Sequence, residues 1–206
     1  MRKTGIFKKI AAMSLALMMA SILPASAQSE TEAPAGTEAQ TEEKSDTLVV
    51  CFSCTGTTKG VAEKIAALTD ADFYEILAAD PYTEEDRNWH DDDSRTSHEQ
   101  NDPSVRPEIS SEPLDLEGYQ VVYIGYPIWW GQAPRILDTF VESYDFEEIT
   151  MIPFCTSGSS GIGSSGKNLA ENAGSGNWLE GQRFSGSVTE EELQTWIDEC
   201  MAEALS

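Results

Sequence analysis

The chain has 206 residues, with 13 Lys and Arg against 36 Asp and Glu and a formal net charge of −23. A nucleic-acid or anionic-membrane binder needs a basic face to displace counterions, so this balance excludes both as leading functions. With 40% hydrophobic and 9% aromatic residues, the chain still has the apolar surface to build a core.

Residues 1–27 hold four bases (Arg2, Lys3, Lys8, Lys9) and no acid, and an apolar run of 14 residues, Ile10 to Leu23, leads to the small-residue site Ala25-Ser26-Ala27. This is the three-part layout of a secretory signal peptide, with cleavage expected after Ala27. A retained anchor fits less well, because about 20 apolar residues are needed to span a bilayer. The expectation is therefore a secreted or extracytoplasmic protein with no stable membrane insertion after cleavage. Residues 28–46 are rich in Glu, Thr and Ala with no large apolar side chain, as in an acidic, disordered linker. The folded unit is expected over 47–206, with 30 acids and 8 bases.

Three short apolar runs read as strands buried on both faces: Thr47–Phe52 (TLVVCF), Gln120–Gly125 (QVVYIG) and Thr150–Cys155 (TMIPFC). Phe73–Leu77 carries a charge and suits an edge; Trp178–Phe184 is a less regular fifth. Between them, Val61, Ala62, Ile65, Ala66 and Leu68 share one helical face, as do Ile136, Leu137, Phe140, Val141 and Tyr144 after Pro134. A last helix starts at Thr189-x-x-Glu192, a capping box, and continues through Leu193, Trp196, Ile197, Cys200 and Met201. Alternating strands and helices predict a parallel sheet with helices on both faces, a three-layer α/β/α sandwich. The 37 residues from Asp80 to Leu116, with four prolines and a dense run of charge, break this rhythm. Thr83-x-x-Asp86 could cap a short helix there, and connections this long are usually functional or mobile.

In so acidic a chain, the stretches without acids are informative: Thr47–Ala62, Gly118–Leu137 and Ile149–Ala170 contain none. Buried strands exclude charge anyway, but helix N-termini normally welcome Asp or Glu. Here those positions carry Thr57, Thr58 and Lys59, then Gln132 and Arg135, then Lys167. Free N–H groups at these starts would suit an anion brought from outside, at the carboxyl edge of the sheet. The first loop, Ser53-Cys54-Thr55-Gly56-Thr57-Thr58, can wrap a phosphate with O–H and N–H donors; it lacks the Walker pattern and suits a monophosphate ester. The second, Tyr126-Pro127-Ile128-Trp129-Trp130-Gly131, places three large aromatics after a central strand. Adjacent Trp129 and Trp130 cannot both be buried from a loop, so at least one is offered to a flat, conjugated ligand. The third runs from Thr156 to Gly166 and contains G-x-G-x-x-G, but no strand-end acid lies the right distance on for a dinucleotide. No G-x-S-x-G elbow is present, so a serine hydrolase has no nucleophile signature.

These three loops, in this order and each after a strand, resemble the flavodoxin family over Thr47 to Leu205. The resemblance implies a five-stranded parallel sheet of order 2-1-3-4-5 and FMN at the switch point, a rule for which flavodoxins are themselves the standard example. It implies that Ser53, Cys54, Thr55, Gly56, Thr57 and Thr58 hold the FMN phosphate. Tyr126, Pro127, Trp129, Trp130 and Gly131 would then line the isoalloxazine, with Ser157, Gly158 and Ser159 near its pyrimidine side. The export signal and the acidic 80–116 segment depart from the family pattern.

Cys51-x-x-Cys54 invites a redox reading, yet residues three apart in an extended chain are about 10 Å apart, too far for a disulfide. Four free thiols are expected. His90 and His98, among Asp91, Asp92, Asp93, Glu99 and Asp102, have irregular spacing for a metal and read as solvated loop residues.

The function expected is electron transfer by an exported FMN protein, monomeric, with a redox protein partner that presents a basic docking face. The alternatives are an FMN-dependent NAD(P)H:quinone-type reductase and a flavin-free binding module on the same fold.

Overall fold

The computed structural model describes residues 45–204. The expected signal peptide (1–27) and all but the last two residues of the expected linker (28–46) lie outside the described residues. Among the described residues, no helix is long and apolar enough to cross a membrane.

In chain order the elements are β1 (Thr47–Phe52), α1 (Thr57–Thr69), β2 (Asp72–Ile76), α2 (Arg95–Asn101), β3 (Val121–Pro127), α3 (Arg135–Glu142), β4 (Thr150–Thr156), α4 (Ser165–Ala173), β5 (Asn177–Trp178), β6 (Gln182–Phe184) and α5 (Glu190–Ala204). All sheet pairings are parallel, and the order is β2-β1-β3-β4-β5, with β6 also on β4. This is the expected 2-1-3-4-5 sheet, its fifth position split into two short strands.

The split has a cause in β4. The Ile149 and Met151 carbonyls accept from the N–H groups of Asn177 and Leu179, 2.9 Å each. Pro153, two residues on, turns the same way and has no N–H to offer. The fifth strand leaves the ladder at Leu179, and Gly181 passes so close that a Cβ there would lie 2.4 Å from the Pro153 carbonyl oxygen. Pairing resumes where Phe154 meets Gln182.

Side chains alternate between two cores. Leu48, Val50, Phe52, Val122, Ile124 and Tyr126 face α3 and α4, whose Ile136, Leu137, Phe140 and Leu169 cover them. Val49, Cys51, Tyr123, Ile152 and Phe154 face α1 and α5, covered by Val61, Ile65, Leu193, Trp196 and Ile197. The capping box of α5 forms as its sequence predicts: Thr189 N–H and O–H donate to Glu192 Oε2 (2.9 and 2.8 Å), and Glu192 N–H donates to Thr189 Oγ1 (3.2 Å).

The 80–116 connection differs from its sequence reading. Thr83 and Asp86 make the reciprocal cap hydrogen bonds, but they close a turn. The helix comes later, at Arg95, where Ser94 Oγ accepts from Ser97 N–H (3.3 Å). The segment is also less irregular than its charge suggests. Arg95 and the buried Glu99 pair at 2.8 Å, and residues 108–111 run along the end of β2, with Ser110 N–H on the Leu77 carbonyl at 2.8 Å.

Candidate functional site

Because β1, β3 and β4 are parallel neighbours, the loops after them share one edge of the sheet. The chain winds outward from β1 to β2 and then returns to β3, so the crevice between β1 and β3 is the switch point where open α/β sheets take ligands. Thr156, the last residue of β4, ties the three loops together. Its hydroxyl meets that of Thr58 at 2.8 Å, and its carbonyl accepts from Ile128 N–H at 3.0 Å.

In the first loop, Gly56 adopts φ 82° and is the N-cap of α1, without any side-chain cap and with no acid in the first turn. Its N–H donates to Ser53 Oγ at 3.1 Å. Thr55, Gly56 and Thr57 are exposed, Ser53 and Cys54 half-buried. Thr58 is buried with its hydroxyl spent on Thr156, so toward a ligand it can offer only its backbone N–H. The bases at the helix starts are committed as well: Lys59 to Glu75 (2.6 Å), Arg135 to Asp138 (3.2 Å) and Lys167 to Glu171 (3.8 Å). The site is thus a neutral cradle of N–H and O–H donors.

The second loop is a tight turn. Trp129 and Gln132 exchange N–H···O bonds of 2.9 Å, and the two residues between them both have positive φ, Trp130 at 49° and Gly131 at 75°. Trp130 is 44% exposed at the tip, whereas Trp129 packs edge-on against Phe52 (5.8 Å) and Tyr82 (5.2 Å). One tryptophan is thus half-buried against the core and the other offered to solvent, as expected for a pair in a turn. Pro127 is half-buried at the end of β3. Tyr126 is a correction: it has no exposed surface, and its hydroxyl pairs with Ser165 Oγ at 3.0 Å, because its position on β3 turns it into the α3/α4 core. It supports the loop from beneath and does not line it.

In the third loop, Ser157 is half-buried and Gly158 and Ser159 exposed. Ser157 Oγ donates to the Ser160 carbonyl, and Arg183 of β6 clamps the Ser157 and Gly158 carbonyls at 2.5 and 2.8 Å. Arg183 has no motif around it; it reaches the loop only because β6 pairs with the end of β4. Tyr82 is also invisible in the sequence, where it lies in the irregular segment. It stands against Phe52 at 5.7 Å, with the Arg95 guanidinium 3.9 Å above its ring and its hydroxyl donating to Glu99 (2.8 Å).

All four cysteines are free thiols. Cys51 packs toward α1 and α5 and Cys54 toward the opposite core, which separates the C-x-x-C pair across the sheet. Burial pushes Cys51 and Cys155 up to about 12, and Cys54 and Cys200 up to about 11, from an ordinary value of 9.0. The native protein should therefore alkylate slowly at neutral pH and at four sites once unfolded, as mass spectrometry would count. Above about pH 9 the unfolded chain gives up thiol protons that the folded one keeps, so stability falls as pH rises. The urea midpoint should be lower at about pH 10 than at about pH 8; an unchanged midpoint would contradict the burial of these thiols.

His90 lies against the Trp89 ring at 3.4 Å and His98 lies 4.0 Å from Asp93; among the described residues no group of three or more metal-ligating side chains is present.

A doubly wound parallel sheet with a neutral, donor-rich loop and an offered aromatic at its switch point defines a protein of the flavodoxin-like α/β class. The sequence model of the flavodoxin family matches residues 46–200, and the chain belongs to that family. Two solved structures, assigned as flavoproteins from Bacteroides eggerthii and Bacteroides uniformis, are 43% and 44% identical to it. The first match covers 75% of this chain and 97% of the other with a TM-score of 0.71; the second covers 76% and 99% with 0.72. A flavoprotein from Lactobacillus acidophilus, solved in complex with FMN, shares the fold at 22% identity and a TM-score of 0.55, over 73% of this chain and 97% of its own. No curated protein matches the chain.

Proposed function

We propose that this protein binds FMN at the β1/β3 crevice and serves as an exported electron-transfer protein. The observation that carries the reading is Trp130, a large aromatic exposed at the tip of a turn in a backbone conformation that bulky residues avoid. The tight turn sets the backbone, and the ring it leaves exposed is one that a flat ligand would cover by stacking. The donor set fits the rest of FMN. Ser53, Thr55, Gly56 and Thr57, with the N–H of Thr58, would hold the phosphate beside Cys54. Trp129, Trp130 and Gly131, resting on Tyr126 and Pro127, would hold the ring, and Ser157, Gly158 and Ser159 its polar edge. The assignment of both Bacteroides relatives as flavoproteins supports the same reading.

Bound there, FMN supplies the redox chemistry; the protein binds it, fixes its orientation and shields one face from water. The folded part's 30 acids against 8 bases favour a partner with a basic docking face and an association that weakens with salt. The leader pattern supports export, with a mature chain starting at Gln28.

The test is a titration of the purified, flavin-free protein with FMN. Saturable quenching of flavin fluorescence at one site per chain is expected; a protein that leaves FMN fluorescence unchanged overturns the proposal. Reduction by NAD(P)H with no other protein present would replace the carrier role by that of a reductase.

A further inference from the structure

The turn that carries Trp130 is held at both stems. On one side the Trp129 ring packs edge-on against Phe52 and Tyr82. On the other the Gln132 side chain reaches α4: its Oε1 accepts from Asn168 Nδ2 at 2.6 Å, and its Nε2 donates to Ser164 Oγ at 3.4 Å. One residue further, the Ala133 carbonyl accepts from Gln100 Nε2 of α2 at 3.2 Å. The tip between the stems, Trp130 and Gly131, is exposed.

Asn168 belongs to a polar stripe. Ser164, Asn168 and Asn172 recur every fourth residue, the spacing that stacks side chains along one face of α4. That face meets the aromatic turn and α3, where Asn172 Nδ2 donates to the buried Asp138 carboxylate at 2.8 Å and Arg135 donates to its other oxygen at 3.2 Å. Asparagine is a poor choice for a helix interior, because its amide competes with the backbone for hydrogen bonds. Its presence twice on this face is explained by what the two amides bond to outside the helix. Gln132 and Asn168 are both half-buried, where a hydrogen bond is less weakened by water than on an open surface.

The helix that grips the turn starts where the third loop ends. Its first turn is fixed from beneath, with Ser165 Oγ donating to the Ile162 carbonyl at 2.6 Å and meeting the Tyr126 hydroxyl at 3.0 Å. A side chain of α4 bonded to the second loop therefore ties together the two loops that would face the flavin ring. We propose that Asn168 is a positioning residue for that ring, holding the Trp130 turn in register with the third loop through the Gln132 amide. The inference rests on the FMN reading above. Asn168 need touch no flavin atom, because a tip whose stems are already fixed loses less freedom when a ring stacks on it. The phosphate loop lies outside this tie, so flavins with and without a phosphate should depend on it equally.

The test measures FMN and riboflavin affinities of the full-length apoprotein by fluorescence quenching, for wild type, Asn168→Leu, Gln132→Met and the two combined. Each single change should weaken both flavins by the same factor, about 3- to 10-fold, and the combination should cost no more than either alone. In a Trp130→Gly background Asn168→Leu should add little further loss, because its effect is carried by that ring. Single variants that bind both flavins as wild type does, losses that add in the combination, or an undiminished loss in the Trp130→Gly background would each overturn the proposal. A role for Asn168 in packing alone would produce the last two. Wild-type protein that binds neither flavin overturns the FMN reading itself, a result distinct from these.

Discussion

Replacing Trp130 by glycine will weaken FMN binding by one to two orders of magnitude while the apoprotein remains at least as stable as wild type. The loss follows from removing a stacked aromatic, worth about 2 kcal/mol in burial and ring contact. The stability follows from the backbone. Trp130 sits at φ 49°, beside Gly131 at 75°, in a turn closed on both sides by Trp129 and Gln132. Left-handed backbone costs a residue with a Cβ about 1–2 kcal/mol, and glycine escapes that cost while giving up about 0.5–1 kcal/mol of chain entropy. Trp130→Ala is the control: it loses the ring but keeps the strain, so its affinity should fall with no gain in thermal midpoint. A glycine variant that melts well below wild type would mean that Trp130 serves the fold, and the argument for an offered ring would fail.

The second large effect is expected at Gly125, midway along the central strand. Its neighbours in the ladder are Cys51 on β1 and Phe154 on β4, and the Phe154 ring lies across the space a side chain would fill. A Cβ on Gly125 would stand 2.1 Å from Phe154 Cζ and 2.5 and 2.7 Å from its two Cε atoms. Phe154 is fully buried and meets Trp196 edge-on at 6.3 Å, so it cannot swing aside without displacing α5. Gly125→Ala should cost about 3 kcal/mol, read as a lower urea midpoint at unchanged slope. Shrinking the obstacle should recover part of this, so Gly125→Ala with Phe154→Leu should lose less than the sum of the two single changes. Strict additivity would show that the contact is not the cause. Because Gly125 leads into the aromatic loop, the single variant should also bind FMN less tightly.

The sheet and most of the loop cluster were legible in the sequence because each rests on a local signal. Continuous apolar runs marked the strands at Thr47, Gln120 and Thr150, and acid-free helix starts marked the edge where a ligand fits. The capping box placed the last helix to within a residue. At Thr83 the same kind of signal misled. A cap specifies reciprocal hydrogen bonds, and these form, but whether a helix follows depends on an apolar face to bury, which residues 84–93 lack.

The alternation of strand and helix, the three loops and the withholding of acid from them follow from hydropathy, propensity and charge along the chain alone. How individual groups are spent emerges only once the chain is folded. Thr58 gives its hydroxyl to Thr156, Tyr126 turns inward, Lys59 goes to Glu75, and Arg183 and Tyr82 arrive from distant segments to brace the loops. The same holds for Arg87, whose Nε is buried without an acceptor although Glu84, Glu85 and Asp86 directly precede it. The physical reason is common to all of them. A side chain's type is a local property, whereas its free valences depend on which neighbours the sheet register and the long connection bring within hydrogen-bonding distance.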